Sequence, residues 1–266
     1  MIHCYKYVNT ISDIGTIILE IFVSNSVKKA FEIIKFISDN QGRLSLSELG
    51  RQLNMNKTTM FRYLETLEAL NVLERRDSNW YLGIELFSLG HKVDANSRIV
   101  EKIHPQLVEI SKRLNETINF VGMYNNSALY LDKVESNRTL QMRSQLGDHL
   151  PLHCTSLGKA ILSCLPLEEA DNILKVIDLR PYTSKTVTSI DELKQQIDFV
   201  KLNGYSLEKE ELEPGLSCIA VPLHIKSINF YGGLSFSGSP DRFTEEKVKE
   251  LSRELKTLAG HILAMF

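Results

Sequence analysis

A short stretch of the 266-residue chain combines one lysine, two threonines and one arginine: Lys57, Thr58, Thr59 and Arg62. An arginine guanidinium can donate two hydrogen bonds to one guanine, whereas lysine and threonine side chains more often bond phosphate oxygens. On a helix, Thr58, Thr59 and Arg62 share the outward face of the first turns. The residue types and spacing therefore indicate a surface that reads double-stranded DNA, with Arg62 as the best candidate for a base contact. The competing interpretation is an ordinary solvated helix face.

The elements around this stretch favour the DNA interpretation. Ser45 and Glu48 form an S-x-x-E capping box, which predicts a helix that runs to about residue 53. Residues 54–56 form a turn, and Asn56 can cap a second helix that begins near Lys57. Apolar residues at three- and four-residue steps form the predicted inward face of this helix: Met60, Leu64, Leu67 and Leu70, with Tyr63 beside them.

A β-hairpin follows the second helix. Residues 72–76 and 80–82 are predicted strands around a turn at 77–79, with Arg75 and Arg76 next to the tip. Arg76 would contact the DNA backbone there. An amphipathic helix is predicted at 26–39 and ends at Gly42, with an inner face of Val27, Ala30, Phe31, Ile34 and Ile37. The ordered set predicts a winged helix-turn-helix domain at residues 24–88.

Composition sets limits on the function. The net charge is −2, and nine Lys and Arg oppose eight Asp and Glu between residues 24 and 91. Attraction to DNA must therefore come from local placement of charge. The four cysteines lack C-x-x-C spacing, which predicts a reducing, cytoplasmic location without disulfides or a zinc finger. His149, His153 and Cys154 match no ligand spacing, so we expect neither a metal nor another cofactor.

The N-terminal extension, residues 1–23, has no assigned role. Its apolar run at 14–23 is short and contains Glu20, so it cannot span a bilayer, and no signal peptide is recognisable. It could form an extra helix or strand or a dimer contact, or be residues added by an upstream start.

The second half of the chain is predicted to be a mixed α and β domain at 105–266, after a linker helix at 89–104. Pro105 suits the first turn of a helix at 106–114, in which Leu107, Ile110 and Leu114 point inward. The predicted strands are 118–124, 128–134, 139–143, 218–223 and 230–236. The predicted helices are one that starts at Thr155 or Ser156, then 167–177, 190–202 and 243–266. The buried stripe of the last helix is Val248, Leu251, Leu255, Leu258, Ile262 and Leu263.

Several sequence segments between residues 26 and 263 resemble those of a known family. They are WYLGIELFSLG at 80–90, PLHCTSLGKA at 151–160, EELEPGLSCIAVP at 210–222 and LSFSG at 234–238. In this order they resemble the isocitrate-lyase-regulator (IclR) family of bacterial transcription factors. Within the family, residues 117–159 are similar to regulators of 2-keto-3-deoxygluconate and related sugar-acid catabolism.

The resemblance implies an α+β protein, in which a GAF-like effector-binding domain with a curved antiparallel sheet flanked by helices follows the winged helix. It implies a ligand-responsive regulator of a catabolic operon, with repression as the expected mode. The partners would be a near-palindromic operator and a small carboxylate such as a sugar acid or 2-keto acid. The family forms dimers and often dimers of dimers, and no membrane is involved.

The resemblance also implies an effector pocket. In relatives it is lined by the residues that align with Leu140, Met142, Ser156, Leu157, Glu208, Leu216, Cys218, Ser235 and Ser237. A helix start at residues 155–158 would offer free amides to a carboxylate. Ser235 and Ser237 lie two apart on a strand and so face one side. Glu208 could accept hydrogen bonds from sugar hydroxyls, although relatives often have Asp there.

Each of these residues also has a simpler interpretation. Cys218 could be a small buried core residue, Glu208 a solvated charge, and the two serines could only satisfy each other or the backbone. As a rival function, Cys218 could be the nucleophile of an enzyme, with His149, His153 or His224 as its base. The chain contains no nucleophile elbow, phosphate-binding loop or G-x-G-x-x-G motif, so we expect no enzyme. A third interpretation is a module that uses the winged helix for protein contacts.

Overall fold

The computed structural model describes residues 24–40, 44–138 and 144–266, and the backbone alone at 94–97. It divides the chain into two compact units, with the division between Asp94 and Ala95. The N-terminal extension, Gly42 and the predicted strand at 139–143 lie outside the described residues.

The described part of the first unit, from residue 24 on, contains three helices, a hairpin and a fourth short helix. Their bounds are α1 Asn25–Asp39, α2 Leu46–Gln52, α3 Lys57–Ala69, β1 Leu73–Arg76, β2 Asn79–Leu82 and α4 Ile84–Gly90. The hairpin strands pair antiparallel, with Arg76 opposite Asn79. One core joins the first three helices and the hairpin: Ile33, Ile37, Leu49, Met60, Leu64, Leu67, Leu73 and Trp80. The predicted winged helix-turn-helix is confirmed.

Two details of its predicted core are wrong. Val27 and Phe31 are 57% and 59% exposed, whereas Ile33, which the prediction omitted, is fully buried. The apolar residues of α1, Phe36 included, span about 220° of its circumference at 100° per residue, so periodicity leaves open which edge packs inward. Leu70 is 58% exposed because α3 ends at Ala69 and Leu70 is already its C-cap.

The second unit is built on a six-stranded antiparallel sheet among the described residues, in the order β5-β4-β3-β8-β7-β6. The strands are β3 Thr117–Tyr124, β4 Ser127–Val134, β5 His149–Leu150, β6 Ser206–Lys209, β7 Ser217–Ile225 and β8 Phe230–Gly238. The helices are α5 Asp94–Leu114, α6 Ser156–Cys164, α7 Leu167–Val176, α8 Ile190–Asn203 and α9 Glu245–Leu263.

Each face of this sheet has its own apolar core, because successive strand residues point to opposite faces. Ile118, Phe120 and Phe236 pack with residues of α5 and α9 on one face. Val121 and Ala220 pack with residues of α6 and α8 on the other. The predicted α+β class, a winged helix followed by an antiparallel sheet flanked by helices, is confirmed.

Helix α5 differs from the prediction. Pro105 lies inside one continuous helix from Asp94 to Leu114, not in the first turn of a second helix. An interior proline removes a hydrogen bond and costs about 3 kcal/mol. Ile103 and Leu107 on either side of it are fully buried, and this packing offsets the cost.

Two further points were missed or wrong. Strand β6 was not predicted, because four residues after a glycine give too short a pattern. Leu263 was assigned to the buried stripe of α9 but is exposed, since the helix ends there. In the part of the chain that the structure describes, no helix is long and apolar enough to cross a membrane.

Candidate functional site

The starts of α2 and α3 are each fixed by a cap. The Glu48 carboxylate accepts from the backbone N–H of Ser45 at 2.9 Å, and the Ser45 hydroxyl accepts from that of Glu48 at 3.5 Å. Asn54 then turns the chain with φ of 50°. Asn56 Oδ1 accepts from the Thr59 N–H at 2.8 Å, which begins α3 at Lys57. The local sequence therefore sets where the polar face of α3 starts.

The predicted DNA-contacting residues of α3 lie at its surface. Lys57, Thr58 and Arg62 are exposed. Thr59 is half-buried and, with Arg62, lines a groove of about 480 Å³ between α1 and α3. Phe61, which the sequence analysis did not select, is also exposed beside them. The face is accessible and carries two positive charges at the helix N-terminal half.

The arginines of the hairpin are partly engaged within it. Arg76 makes two hydrogen bonds of 3.0 Å to the Glu74 carboxylate and lies 4.9 Å above the Tyr81 ring. The carboxylate raises the pKa of Arg76, and the guanidinium lowers the pKa of Glu74. Arg75 lies over the buried Trp80 ring. Arg76 remains solvent-exposed. It can therefore bind a phosphate, either beside its hydrogen bonds to Glu74 or after these are broken.

A second candidate site is a cavity of about 20 Å³ in the second unit. It brings together every described residue of the predicted effector pocket: Ser156, Leu157, Glu208, Leu216, Cys218, Ser235 and Ser237. Leu140 and Met142 lie outside the described residues. Tyr130, Leu150, Thr155 and Leu212 also line the cavity and were not predicted.

One wall of the cavity is the start of α6. Thr155 is the N-cap, and its hydroxyl accepts from the Gly158 N–H at 3.0 Å. This resolves the choice between Thr155 and Ser156 as the helix start. A Cβ at Gly158 would lie 2.4 Å from the Leu152 backbone, so the helix start packs on that loop without space for a side chain. The N–H groups of Ser156 and Leu157 are first-turn donors with no partner inside the helix.

The opposite wall is a polar strip across four strands of the sheet. Glu208 lies opposite Cys218, and Cys218 lies opposite Ser237. Ser235 lies opposite Asn119 of β3. The Asn119 Nδ2 group donates to Ser237 Oγ at 2.9 Å and to Ser235 Oγ at 3.2 Å. Sequence reasoning missed Asn119, although an asparagine between apolar strand residues is a signal of a buried polar group.

Glu208 is the most perturbed carboxyl of this strip. Burial raises its pKa to about 7, and the negative charge of Glu211 acts in the same direction. Its Oε1 accepts from the backbone N–H groups of Glu211 and Leu212, which lowers the pKa in part. The solvated-charge interpretation of Glu208 is therefore wrong, because the side chain is buried.

Behind the strip lies a buried ion pair between Lys159 of α6 and Glu211, with 2.5 Å between Nζ and Oε1. Burial raises the pKa of Glu211, and the Lys159 ammonium opposes the rise. The pair connects the first turns of α6 to the segment whose amides hold Glu208.

Cys218 and the three histidines considered as its base each contact other residues. Burial raises the pKa of the Cys218 thiol well above its usual range, and its hydrogen bond goes to Ser237 Oγ at 3.4 Å. His149 contacts Ser127, and His153 contacts the Arg180 carbonyl. His224 stacks on Tyr231. A neutral thiol without a base is a poor nucleophile.

Comparisons with known proteins match both units. Residues 26–77 match the IclR helix-turn-helix domain, and residues 91–264 match the C-terminal domain of bacterial transcriptional regulator IclR. The chain is 33% identical over 240 residues to the HTH-type transcriptional regulator KdgR of Dickeya chrysanthemi, covering 90% of this chain and 78% of the relative. It is 32% identical over 242 residues to KdgR of Escherichia coli K12, covering 90% and 92%.

The fold of this chain is also similar to that of a solved structure. The crystal structure of the Thermotoga maritima IclR aligns with a TM-score of 0.70 at 34% identity, covering 91% of this chain and 98% of that one. Fold and comparisons thus define a helix-turn-helix transcriptional regulator with a separate C-terminal domain. The chain belongs to the IclR family. Its relatives are regulators and not enzymes, which removes the hypothesis of a cysteine nucleophile.

Proposed function

We propose that this protein is a repressor of a catabolic operon in the cytoplasm. It binds a near-palindromic operator as a dimer or a dimer of dimers, and it releases or retains the DNA according to a small carboxylate bound in the second unit. The observation that carries the DNA-binding half is the exposure of Thr58 and Arg62 on the first turns of a capped helix.

In the DNA-binding half, α3 enters the major groove with its N-terminal turns toward the bases. Arg62 donates to a guanine, and Lys57, Thr58 and Thr59 hold the register on phosphates. Arg76 of the hairpin contacts the backbone outside the groove. Two such surfaces about one helical turn apart fit an operator with two half-sites.

The sensing half is supported by the donors that line the cavity. The first-turn amides of α6 and the hydroxyls of Ser235 and Ser237 can all donate to a carboxylate. Glu208 offers an acceptor for a ligand hydroxyl. Leu157 and Leu216 add apolar surface to the wall.

The size of the cavity supports a conformational response. A volume of about 20 Å³ has room for about one ordered water molecule. We propose that a larger acid binds with a movement of the α6 start or of the segment around Glu208. A ligand alters DNA affinity only if it prefers one arrangement of the dimer over another. We propose α5, which begins at the division between the units, as the lever.

The test uses duplexes selected from a random library with the wild-type protein. Arg62→Ala is expected to weaken operator binding about 5- to 150-fold, since one bidentate base contact contributes about 1–3 kcal/mol of discrimination. Arg253→Ala, which removes the same charge from an exposed position in the second unit, is the control. Gel shifts measure both, and calorimetry checks that ligand binding survives. Unchanged operator affinity in Arg62→Ala would remove that residue from recognition.

The sensing half is tested with a thermal-shift screen of sugar acids, hydroxy acids and 2-keto acids. A ligand that binds the folded state raises its melting temperature. A wild-type protein that responds to none of these classes would contradict carboxylate sensing and leave the DNA-binding half intact.

A further inference from the structure

Helix α3 exposes one large apolar side chain in its first two turns. Phe61 is 44% exposed, and it belongs neither to the core of the first unit nor to the half-buried residues that pack against that core. The other exposed large apolar residues in the described part of this unit lie on α1, at the C-cap of α3 or between residues 82 and 93. The ring of Phe61 is therefore not needed to fill the core, and its role must be sought at the surface.

Helical geometry places Phe61 on the face that carries the predicted DNA contacts. Counting about 100° per residue from Lys57, Phe61 lies at about 40°, between Lys57 and Thr58 at about 100°. Arg62 lies at about 140°, whereas the buried core residues of α3 lie at about 280–340°. Phe61 therefore lies beside the residues proposed to bind DNA, one turn further along the helix than Lys57.

The charges of α3 confine a contact with DNA to these first two turns. Lys57 and Arg62 are exposed cations on either side of Phe61. Glu65 and Glu68 follow at about 80° and 20° from Lys57, and their carboxylates would repel phosphates. A duplex that meets both Lys57 and Arg62 therefore covers Phe61 as well.

A phenyl ring can recognise one feature of the base edges in the major groove. It has no hydrogen-bond donor or acceptor, so it cannot read the polar edges as an arginine does. Thymine presents a methyl group at its C5 atom in the major groove, and apolar side chains contact that group. Such a contact removes the ring and the methyl group from water together. Contact with a thymine methyl group is thus the base-specific interaction that Phe61 can make.

We propose that Phe61 selects a thymine in each half-site of the operator by packing its ring against the 5-methyl group. Arg62 and Phe61 then recognise different chemistry from one helix: a guanine edge through hydrogen bonds and a methyl group through apolar contact. The inference rests on the proposed operator binding, and it names a base that the operator must contain.

The experiment replaces each thymine of the operator in turn by uracil, which keeps every hydrogen-bonding group and lacks only the methyl group. The operator is a duplex selected from a random library with the wild-type protein, and fluorescence anisotropy measures the dissociation constants. At one position of each half-site, the wild-type protein is expected to bind the uracil duplex about fourfold more weakly. This factor is equivalent to about 0.8 kcal/mol for one methyl group removed from water. In Phe61→Ala, the thymine-to-uracil ratio at that position should fall to about one, while the ratios at other positions stay unchanged.

Two controls separate a base contact from a structural effect. Phe61→Ala should fold, because alanine has the higher helix propensity and the ring lies outside the core. Phe199→Ala removes a phenyl ring with the same 44% exposure from the second unit and should retain the fourfold ratio. As an independent readout, 5-iodouracil at the same position of the wild-type complex should give a photo-crosslink to Phe61, identified by mass spectrometry.

The outcomes distinguish this inference from the proposed function. A uracil effect that persists in Phe61→Ala, or an operator without a methyl-sensitive thymine, overturns the role of Phe61 and leaves operator binding through Arg62 intact. A crosslink from that thymine position to another residue does the same. If the wild-type protein selects no duplex, operator binding itself is overturned and the inference with it. The crosslink decides the question alone if Phe61→Ala does not fold.

Discussion

Replacement of Glu208 by glutamine should change how stability depends on pH. Burial raises the pKa of Glu208 from 4.5 to about 7, Glu211 adds to the rise, and Lys159 opposes it. Glutamine has nearly the same shape and can still accept from the N–H groups of Glu211 and Leu212. It cannot ionise, so the substitution removes the titration and retains the hydrogen bonds.

The magnitude follows from the shift. A rise of about 2.5 pKa units, from 4.5 to about 7, corresponds to about 3 kcal/mol. Below pH 4.5 the carboxyl is protonated in both the folded and unfolded states, and its favourable contribution is fully present. Between pH 4.5 and 7 only the folded state retains the proton, so stability falls as pH rises. Above pH 7 the whole of about 3 kcal/mol is lost, and Glu208→Gln should recover it.

Urea unfolding followed by circular dichroism at pH 5, 6, 7 and 8 measures this difference. The single tryptophan, Trp80, lies in the first unit, so its fluorescence would not report on the second. Glu213→Gln, at an exposed position of the same segment, is the matched control and should follow the wild-type pH profile. A Glu208→Gln profile parallel to the wild type from pH 5 to 8 would refute the argument from burial.

Three further outcomes are expected in urea unfolding. Ser45→Ala removes the capping box and should cost about 1 kcal/mol, and no change would show that the cap is dispensable. Gly158→Ala should destabilise the second unit severely, because the new Cβ would lie 2.4 Å from the backbone of Leu152. Gly260→Ala has open space around its new Cβ and should raise the stability by up to about 1 kcal/mol. Equal effects of the two substitutions would contradict the close packing at Gly158. Lys159→Met should cost about 3–5 kcal/mol by leaving a buried carboxylate unpaired, and the double variant with Glu211→Leu should recover most of it. Equal losses in the single and double variants would contradict that account.

Local patterns predicted much of the fold. The capping box at Ser45, the cap at Asn56 and the left-handed Gly204 after α8 act through their immediate neighbours, so sequence reveals them directly. The predictions failed where contacts between residues distant in the sequence decide the structure. Pro105 was placed at a helix start because the packing of Ile103 and Leu107 on the sheet cannot be read from their spacing.

The candidate sites show the same difference between what local sequence predicts and what long-range contacts decide. The outward face of Thr58 and Arg62 follows from helical periodicity, and it is exposed. The effector residues came from a resemblance to a family, and the structure brings the seven described ones around one cavity. Their chemistry was not visible beforehand. The raised pKa of Glu208 and the bonds from Asn119 to both serines require the pairing of β3, β8, β7 and β6.

By itself the sequence determined the order of the elements, the capped start of the recognition helix and the family, since these depend on residues near one another along the chain. Only the tertiary structure decided which edge of α1 is buried, that the Glu208 carboxyl is removed from water, and that Asn119 bonds to both cavity-lining serines. Burial and hydrogen-bond satisfaction depend on which strands lie side by side, and strands paired over 110–120 residues of chain, as β3 and β8 are, carry no local signal of their register.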